Sequence, residues 1–383
     1  MSISTLHFCT SDSWGGLELY ACTLIAELKN AGCSVLVVCK PHSKVEEFLK
    51  EHAIPFVYLP SYLQVSIRSI WYLRKLFRQY NIQIIHAHFH KDIWPAALAV
   101  RYDRTKKLFF SVYMGIGSKD DFWHRYIFGR VNGFITSSKT WRNHLPKVFA
   151  VPDETVYYLP YGRYLERYSI DQQKRRAIRS SFGFTDLDTV IGTMVRIDPG
   201  KGVVDFVESF LCLDQKKQAA VKFLIVGEPT RKRRTTPGES PFEPQCEEYF
   251  RRLQSYVVDH HLETTIYFTG FQHDTIGYLG AMDIFVFPSR NELFSLVMLD
   301  AMSLSLPIVA SREGGNLEQV QDGVNGLLYE TANPQDLAEN LSQYLNNVPL
   351  RNQMGQAGRA FVEAHHDMKK TIHRLIELYE HSI

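Results

Sequence analysis

Phe287-Pro288-Ser289-Arg290-Asn291-Glu292-Leu293-Phe294-Ser295-Leu296-Val297-Met298-Leu299-Asp300-Ala301-Met302 is the stretch whose reading decides the fold. It closes an apolar run from Met282 to Phe287, which ends in Pro288-Ser289. That is the pattern of a buried parallel strand stopped by a turn. Leu296, Leu299 and Met302 then recur at helical spacing. A strand feeding a helix whose first amides point into a crevice is a standard place for a phosphate. Two acids frame the turn, Glu292 and Asp300. Eight residues of helix would set them roughly 12 Å apart. A buried α/β unit with two solvated acids is the plainer reading, and the pattern alone leaves both open.

Outward from this stretch the same alternation repeats. On the N-terminal side, Val190–Val195, Val221–Val226 and Thr265–Thr269 read as strands, and on the C-terminal side Pro307–Ser311 does. Arg196 and Lys201 flank a Pro199-Gly200 turn at one strand end, which sets two cations where an open sheet binds anions. Two of these strands end in Gly227-Glu228 and Gly270-Phe271. Met354–His365 and Met368–Glu380 read as helices.

A second set of βαβ units fills the first half. Its strands are expected at Ser4–Thr10, Cys33–Cys39, Ile54–Leu59, Ile82–His86, Lys107–Val112, Gly133–Ser137 and Val156–Leu159. Gly15-Gly16 follows the first and reads either as a tight turn or as a place where a ligand meets backbone. It is not GxGxxG, so the dinucleotide fingerprint is missing. His86, His88 and His90 alternate after the fourth strand, followed by Lys91. They point to a polar substrate or a structural role, since no HExxH or Cys partner supports zinc. Ser66 to Tyr80 is basic and aromatic, an ordinary surface helix or one resting on anionic lipid. The charged stretch from Pro160 to Gly183 has no strand pattern and is taken as the domain boundary.

The chain has 383 residues, 45% of them hydrophobic, enough for two domains with full cores. A net charge of +2 does not point to nucleic acid. The basic run at Arg231-Lys232-Arg233-Arg234 carries no binding motif with it and reads as part of a mobile surface insertion. None of the six cysteines forms a CxxC pair, which suggests reduced thiols and a reducing compartment. Neither a signal peptide nor a transmembrane span is legible, so a cytoplasmic protein is expected, peripheral at most at the inner face of the membrane.

Taken in order, the second-half motifs form a specific set. They are Arg196 with Lys201-Gly202, Asp283 to Ser289, Glu292 with Phe294 and Asp300-Ala301-Met302, Pro307 to Ser311, Gly314-Gly315, and Asp322-Gly323 with Asn325-Gly326. With Gly15-Gly16-x-Glu18, Ile84 to His88 and Pro160-x-Gly162, the chain resembles the retaining GT-B glycosyltransferases of family 4, the group with an E-x7-E motif. The resemblance covers nearly the whole chain. It implies an α/β GT-B fold, two facing Rossmann-like domains with a cleft between them. The N-terminal acceptor domain would be residues 1–165, with helix 368–383 packing back on it, and the nucleotide-sugar domain 185–367.

The resemblance also implies roles. Arg196 and Lys201 would hold the donor diphosphate, and Glu292 the donor sugar. The amides near Phe294, Ser295 and Leu296 would face both, and Asp300 would grip the ribose. Gly15, Gly16, Gly227 and Phe271 would complete the donor site. His88, Lys91 and Tyr113 would serve the acceptor. Family members work without a metal, and no cofactor is implied. The expected reaction moves a sugar from a UDP- or GDP-type donor to a glycan or lipid-linked saccharide, in the assembly of cell-surface polysaccharide or lipopolysaccharide. Two departures stand out. Asp300 replaces the second Glu, and Tyr113-Met114 stands where many members carry a T-x-H histidine. A non-catalytic nucleotide-sugar-binding protein and a UDP-sugar epimerase on the same fold are the competing readings.

Overall fold

The computed structural model describes residues 3–115, 117–232, 239–290 and 292–383. They fall into two compact units, Met1–Gly162 with Met368–Ile383, and Arg163–Asp367. The insertion read between Arg231 and Gln245 lies in part on 233–238, outside the described residues.

The first unit carries strands β1 (Ser4–Phe8), β2 (Ser34–Val38), β3 (Phe56–Val57), β4 (Ile84–Ala87), β5 (Lys107–Ser111), β6 (Gly133–Thr136) and β7 (Val156–Tyr158). Its helices are α1 (Gly16–Asn30), α2 (Lys44–Glu51), α3 (Ile67–Gln79), α4 (Ile93–Ala99), α5 (Phe122–Phe128) and α6 (Lys139–Phe149). The strands are parallel in the order β3-β2-β1-β4-β5-β6-β7. The chain winds outward from β1, then returns to lay β4 on its other side. The seam between β1 and β4 is therefore a topological switch point, where open sheets bind ligands. Every residue of both strands is buried, yet β1 carries Thr5 and His7 and β4 carries His86. Side-chain caps start the helices: Ser43, Ser66, Asp121 and Ser138 each accept from an amide of the first turn of α2, α3, α5 and α6.

The second unit repeats the plan with β8 (Thr189–Met194), β9 (Val221–Val226), β10 (Ile266–Phe268), β11 (Ile284–Phe287), β12 (Ile308–Ser311) and β13 (Leu327–Tyr329). Its helices are α7 (Gln172–Ser181), α8 (Val203–Cys212), α9 (Gln215–Gln218), α10 (Pro244–Asp259), α11 (Thr275–Gly280), α12 (Leu296–Ser303), α13 (Asn316–Gln319), α14 (Pro334–Asn346) and α15 (Val348–His365). The sheet order is β10-β9-β8-β11-β12-β13, so the switch point lies between β8 and β11. The core is aromatic under α8, where Phe206 stacks on Phe223 at 4.4 Å.

The last helix, α16 (Met368–Glu380), belongs to the first unit and packs on α1. Its Thr371 hydroxyl donates to the Pro160 carbonyl at 3.1 Å. Gly162 lies so close beneath it that a Cβ there would sit 2.6 Å from the Met368 Cα.

Several elements differ from the sequence reading. Residues 160–183, read only as a charged domain boundary without strand pattern, contain α7. Its contacts are ionic rather than apolar: Arg175 and Arg179 both bind Asp283, and they donate to the carbonyls of Gly280, Ala281 and Met282. α15 starts at Val348, ahead of the expected Met354, with Pro349 in its first turn. α3 buries Leu73, Leu76 and Phe77 as a surface helix should, yet leaves Ile67 and Trp71 73% and 65% exposed. No helix among the described residues is long and apolar enough to cross a membrane.

Candidate active site

In the second unit the expected residues gather at the β8–β11 seam. Arg196 follows β8 and is exposed. Lys201 closes a one-turn helix whose N-cap, Asp198, accepts from the Gly200 amide at 2.8 Å. Gly202 then turns at φ +63, and a Cβ on it would lie 2.1 Å from the Pro288 carbonyl oxygen. Only glycine allows this turn to press on the end of β11. Arg290 fixes the other side, its amide donating to the Gly200 carbonyl and its guanidinium to both oxygens of the buried Asp205. Lys201 Nζ thereby meets Glu292 Oε1, which also accepts from the Ser289 hydroxyl at 2.7 Å. The lysine and glutamate side chains keep 20% and 24% of their surface exposed, so both remain open to a ligand. The loop carrying Glu292 rests on Gly314 and Gly315. The Gly315 amide donates to the Glu292 carbonyl at 2.7 Å, and a Cβ on Gly315 would overlap the Leu293 oxygen at 1.9 Å.

The neighbouring strand ends join the same edge. Gly227, at φ +144, lies against Val195, where a Cβ would come within 1.9 Å of the carbonyl oxygen, and its amide donates to Gly270 at 3.0 Å. Phe271 follows with half of its surface exposed.

One expectation for this edge needs correction. The Ser295 amide donates to Gln319 Oε1 at 2.7 Å inside the protein, while the Ser295 hydroxyl caps Met298. That amide is therefore unavailable to a donor, and Phe294 is buried beside it. Leu296, at the first turn of α12, stays half-buried. Asp300, which the resemblance assigns to the ribose, accepts at Oδ1 from Arg163 and from the Tyr168 hydroxyl. Arg163 also donates to the Leu296 carbonyl at 3.2 Å. Burial first, and the neighbouring Asp300 charge second, push the Tyr168 hydroxyl well above its ordinary pKa, so it stays a donor.

In the first unit Gly15 is the N-cap of α1 with extended backbone, and a Cβ there would make only ordinary contact with Glu18. Gly16 opens the helix and Lys91 is exposed at the turn after β4. Asp92, next to it, bonds the Thr10 amide and hydroxyl, and burial pushes its carboxyl up to about 6.

His88 departs from its expected role as a direct acceptor ligand. It is 1% exposed, and both its ring nitrogens face inward, Nε2 on His7 Nδ1 at 3.0 Å and Nδ1 on the Tyr113 hydroxyl at 2.8 Å. His86, paired with His7 across the strands, joins Tyr379 of α16 at 2.6 Å and Ser111 at 2.8 Å. His90 does not share this face, because the chain leaves the strand after Ala87, and it lies beside Phe110 and His124. Burial lowers His7 to about 3 and holds His86 and His88 well below the ordinary imidazole value, so all three are neutral. Their nitrogens lie within 4.8 Å of one another, but every one already has a hydrogen-bond partner. The His86 and His88 rings also stack at 4.3 Å with planes 28° apart.

Sequence reasoning missed His7, Tyr379, Arg163 and Tyr168. Only His7 had a local signal, since Thr5 and His7 share one face of a strand by its two-residue period.

Residues 174–361 match the family model described as glycosyl transferases group 1, and residues 14–167 match glycosyltransferase family 4. The two halves of the chain are glycosyltransferase domains. A crystal structure of Anabaena Alr3699/HepE in complex with UDP superposes on them with a TM-score of 0.83 at 19% identity, covering 99% of this chain and 100% of that one. The fold shared at that distance is GT-B. Among curated relatives, the capsular polysaccharide biosynthesis glycosyltransferase CapM of Staphylococcus aureus is 26% identical over 45% of this chain and 41% of its own length. A GDP-mannose-dependent monoacylated alpha-(1-6)-phosphatidylinositol monomannoside mannosyltransferase of Corynebacterium glutamicum is 30% identical over 55% and 52%. The matches span between 18% and 52% of the length of such relatives.

Proposed function

We propose that the chain is a retaining, metal-independent glycosyltransferase that takes its sugar from a UDP- or GDP-linked donor. The observation that carries this reading is the Lys201–Glu292 pair, set with Arg196 at the β8–β11 switch point. Arg196 and Lys201 supply fixed cations for the diphosphate, whose negative charge grows as it leaves. Glu292 accepts from hydroxyls of the donor sugar and keeps Lys201 oriented before the donor arrives. The bond from the anomeric carbon to the phosphate oxygen breaks, and the acceptor oxygen bonds to that carbon on the same face. The acceptor proton goes to the departing diphosphate oxygen. Asp300 serves the ribose through its second oxygen while Arg163 and Tyr168 hold the first.

The names of CapM and the Corynebacterium mannosyltransferase support a glycan or lipid-linked acceptor, in capsule-like or lipid-linked saccharide assembly, which we place at the cytoplasmic side of a membrane. The exposed Ile67 and Trp71 of α3, with Arg68, Lys75 and Arg78, are the surface for peripheral contact with it.

A thermal-shift series with UDP, GDP and ADP identifies the nucleotide, since a ligand raises apparent stability with its affinity. Transfer from the matching sugar to glycan acceptors, read by NMR for the anomeric configuration, then tests the reaction. An α-linked product from an α-linked donor, undiminished by EDTA, is expected. An inverted product or loss with EDTA contradicts the mechanism. Binding without turnover would mark a non-catalytic protein, and a new nucleotide-sugar formed without acceptor would mark an epimerase.

A further inference from the structure

Two ion pairs join the same two segments of the second unit. The first is Lys201 with Glu292, and the second is Asp205 with Arg290. Asp205 lies in the first turn of α8, just beyond Lys201, and Arg290 lies just before Glu292. Arg290 Nη2 donates to Asp205 Oδ1 at 2.9 Å and to Oδ2 at 3.0 Å. Asp205 Oδ2 also accepts from the Ala332 amide at 3.1 Å and from the Tyr329 hydroxyl at 3.4 Å, so the end of β13 is tied to the same carboxylate. On the backbone, the Arg290 amide donates to the Gly200 carbonyl at 3.0 Å, next to Lys201. Asp205 therefore holds the side chain of Arg290 while its backbone holds the Lys201 turn. A buried ion pair often adds no net stability over apolar residues of the same size. What this one adds is direction, because it fixes the end of β11 against the turn after β8.

We infer that Asp205 is a positioning residue of the donor site: through Arg290 it keeps the turn carrying Lys201 in register with the loop carrying Glu292. The need for it arises when a donor binds. The Lys201–Glu292 contact then loosens, because the lysine turns to the diphosphate and the glutamate to the sugar. A second pair between the same segments preserves their spacing at that moment. Asp205 is suited to this because its side chain is 4% exposed, against 24% for Glu292, and its bonds are all internal. The identity of the ligand rests on the proposed glycosyltransferase reading, but the tie between the two segments does not.

The test uses the full chain and Asp205→Asn, which keeps the size of the side chain but not its charge. Affinity for UDP and GDP is measured by calorimetry, and transfer kinetics follow with the matching sugar. The nucleotide that binds wild type should bind the variant about tenfold more weakly, the worth of one charge-assisted bond. KM for the donor should rise with it, and KM for the acceptor should stay. A pair that only stabilises the fold would lower the thermal midpoint and the apparent kcat and leave nucleotide affinity and both KM values unmoved, and that result overturns the inference. In a Lys201→Ala background the loss of nucleotide affinity should shrink to about twofold or less, since Asp205 acts through the lysine. An undiminished loss there also overturns it. Should Asp205→Asn not fold, Arg290→Lys keeps the charge but loses the planar guanidinium, and it should weaken the nucleotide by about threefold or more, again with acceptor KM unmoved. Amide hydrogen exchange without ligand separates the two failures. The Arg290 amide should exchange about tenfold faster in the variant, with the amides of β8 unchanged. If neither nucleotide binds wild type, the donor reading fails, yet exchange still decides whether Asp205 holds the turn, and unchanged exchange at Arg290 overturns that.

Discussion

The two units solve the same topological problem with opposite chemistry. Both place polar residues at the seam where strand order reverses. In the second unit the seam is charged: Arg196, Lys201 and Glu292 stand at strand ends, partly open to solvent. In the first it is neutral and closed: Thr5, His7, His86 and His88 lie inside the sheet layer and satisfy one another. Exposed charges at a strand end cost little to keep and wait for an anion. A buried histidine is kept only as the neutral form with its nitrogens paired. The charged seam is suited to a diphosphate, the neutral one to a dry, internally paired sheet layer.

The comparison can be broken by mutation. Lys201→Ala should have the largest effect, cutting transfer by about 10²–10³-fold, the usual loss for a single preorganised electrostatic contact. Its thermal midpoint should change far less, and normal transfer would remove the charged seam from the account. Tyr379→Phe should do the reverse. It leaves His86 Nδ1 buried without a donor, at a cost of about 1–3 kcal/mol in stability, while UDP or GDP affinity stays as in wild type. A loss of nucleotide affinity in that variant would show that the two seams are not separable.

Acid should distinguish the units next. His7 is lowered from 6.5 to about 3 by burial, so its contribution is complete above pH 6.5 and is lost as pH falls toward 3. His86 and His88 are lowered too and act in the same direction. Asp92, raised from 3.8 to about 6, acts in the opposite sense: its contribution is present below 3.8 and is lost as pH rises through 6. Three histidines against one acid leave the first unit less stable as pH falls from 6.5. All five tryptophans lie in that unit, so their fluorescence should change at a higher pH than the far-UV circular dichroism of the whole chain. Coincident transitions would count against it. The smallest effect is expected in stability for Arg196→Ala: with an exposed side chain, the midpoint should shift by no more than about 0.5 kcal/mol, although transfer falls.

The contrast also explains what the sequence revealed. Charged residues at strand ends are local signals: Lys201 and Glu292 each follow a recognisable strand, and their glycine neighbours mark the tight turns. The neutral network is nonlocal. His7 and His88 are neighbours only because β1 and β4 pair, and Tyr379 arrives from the last helix. The histidine alternation at 86, 88 and 90 was visible, but where the strand ends decides that His90 drops out. α7 was hidden because arginines, not an apolar stripe, hold it to Asp283. The occupied oxygen of Asp300 was hidden for the same reason as His88: its partners, Arg163 and Tyr168, lie more than a hundred residues away in the chain.

The most direct test of the donor site is calorimetry of UDP and GDP on the full chain and on Lys201→Ala, without metal. One saturable site for one of the two nucleotides is predicted, weakened at least about tenfold in the variant, the worth of one charge-assisted contact. Equal affinity in both proteins, or no binding of either nucleotide by the wild type, would contradict the assignment of the β8–β11 seam to a nucleoside diphosphate.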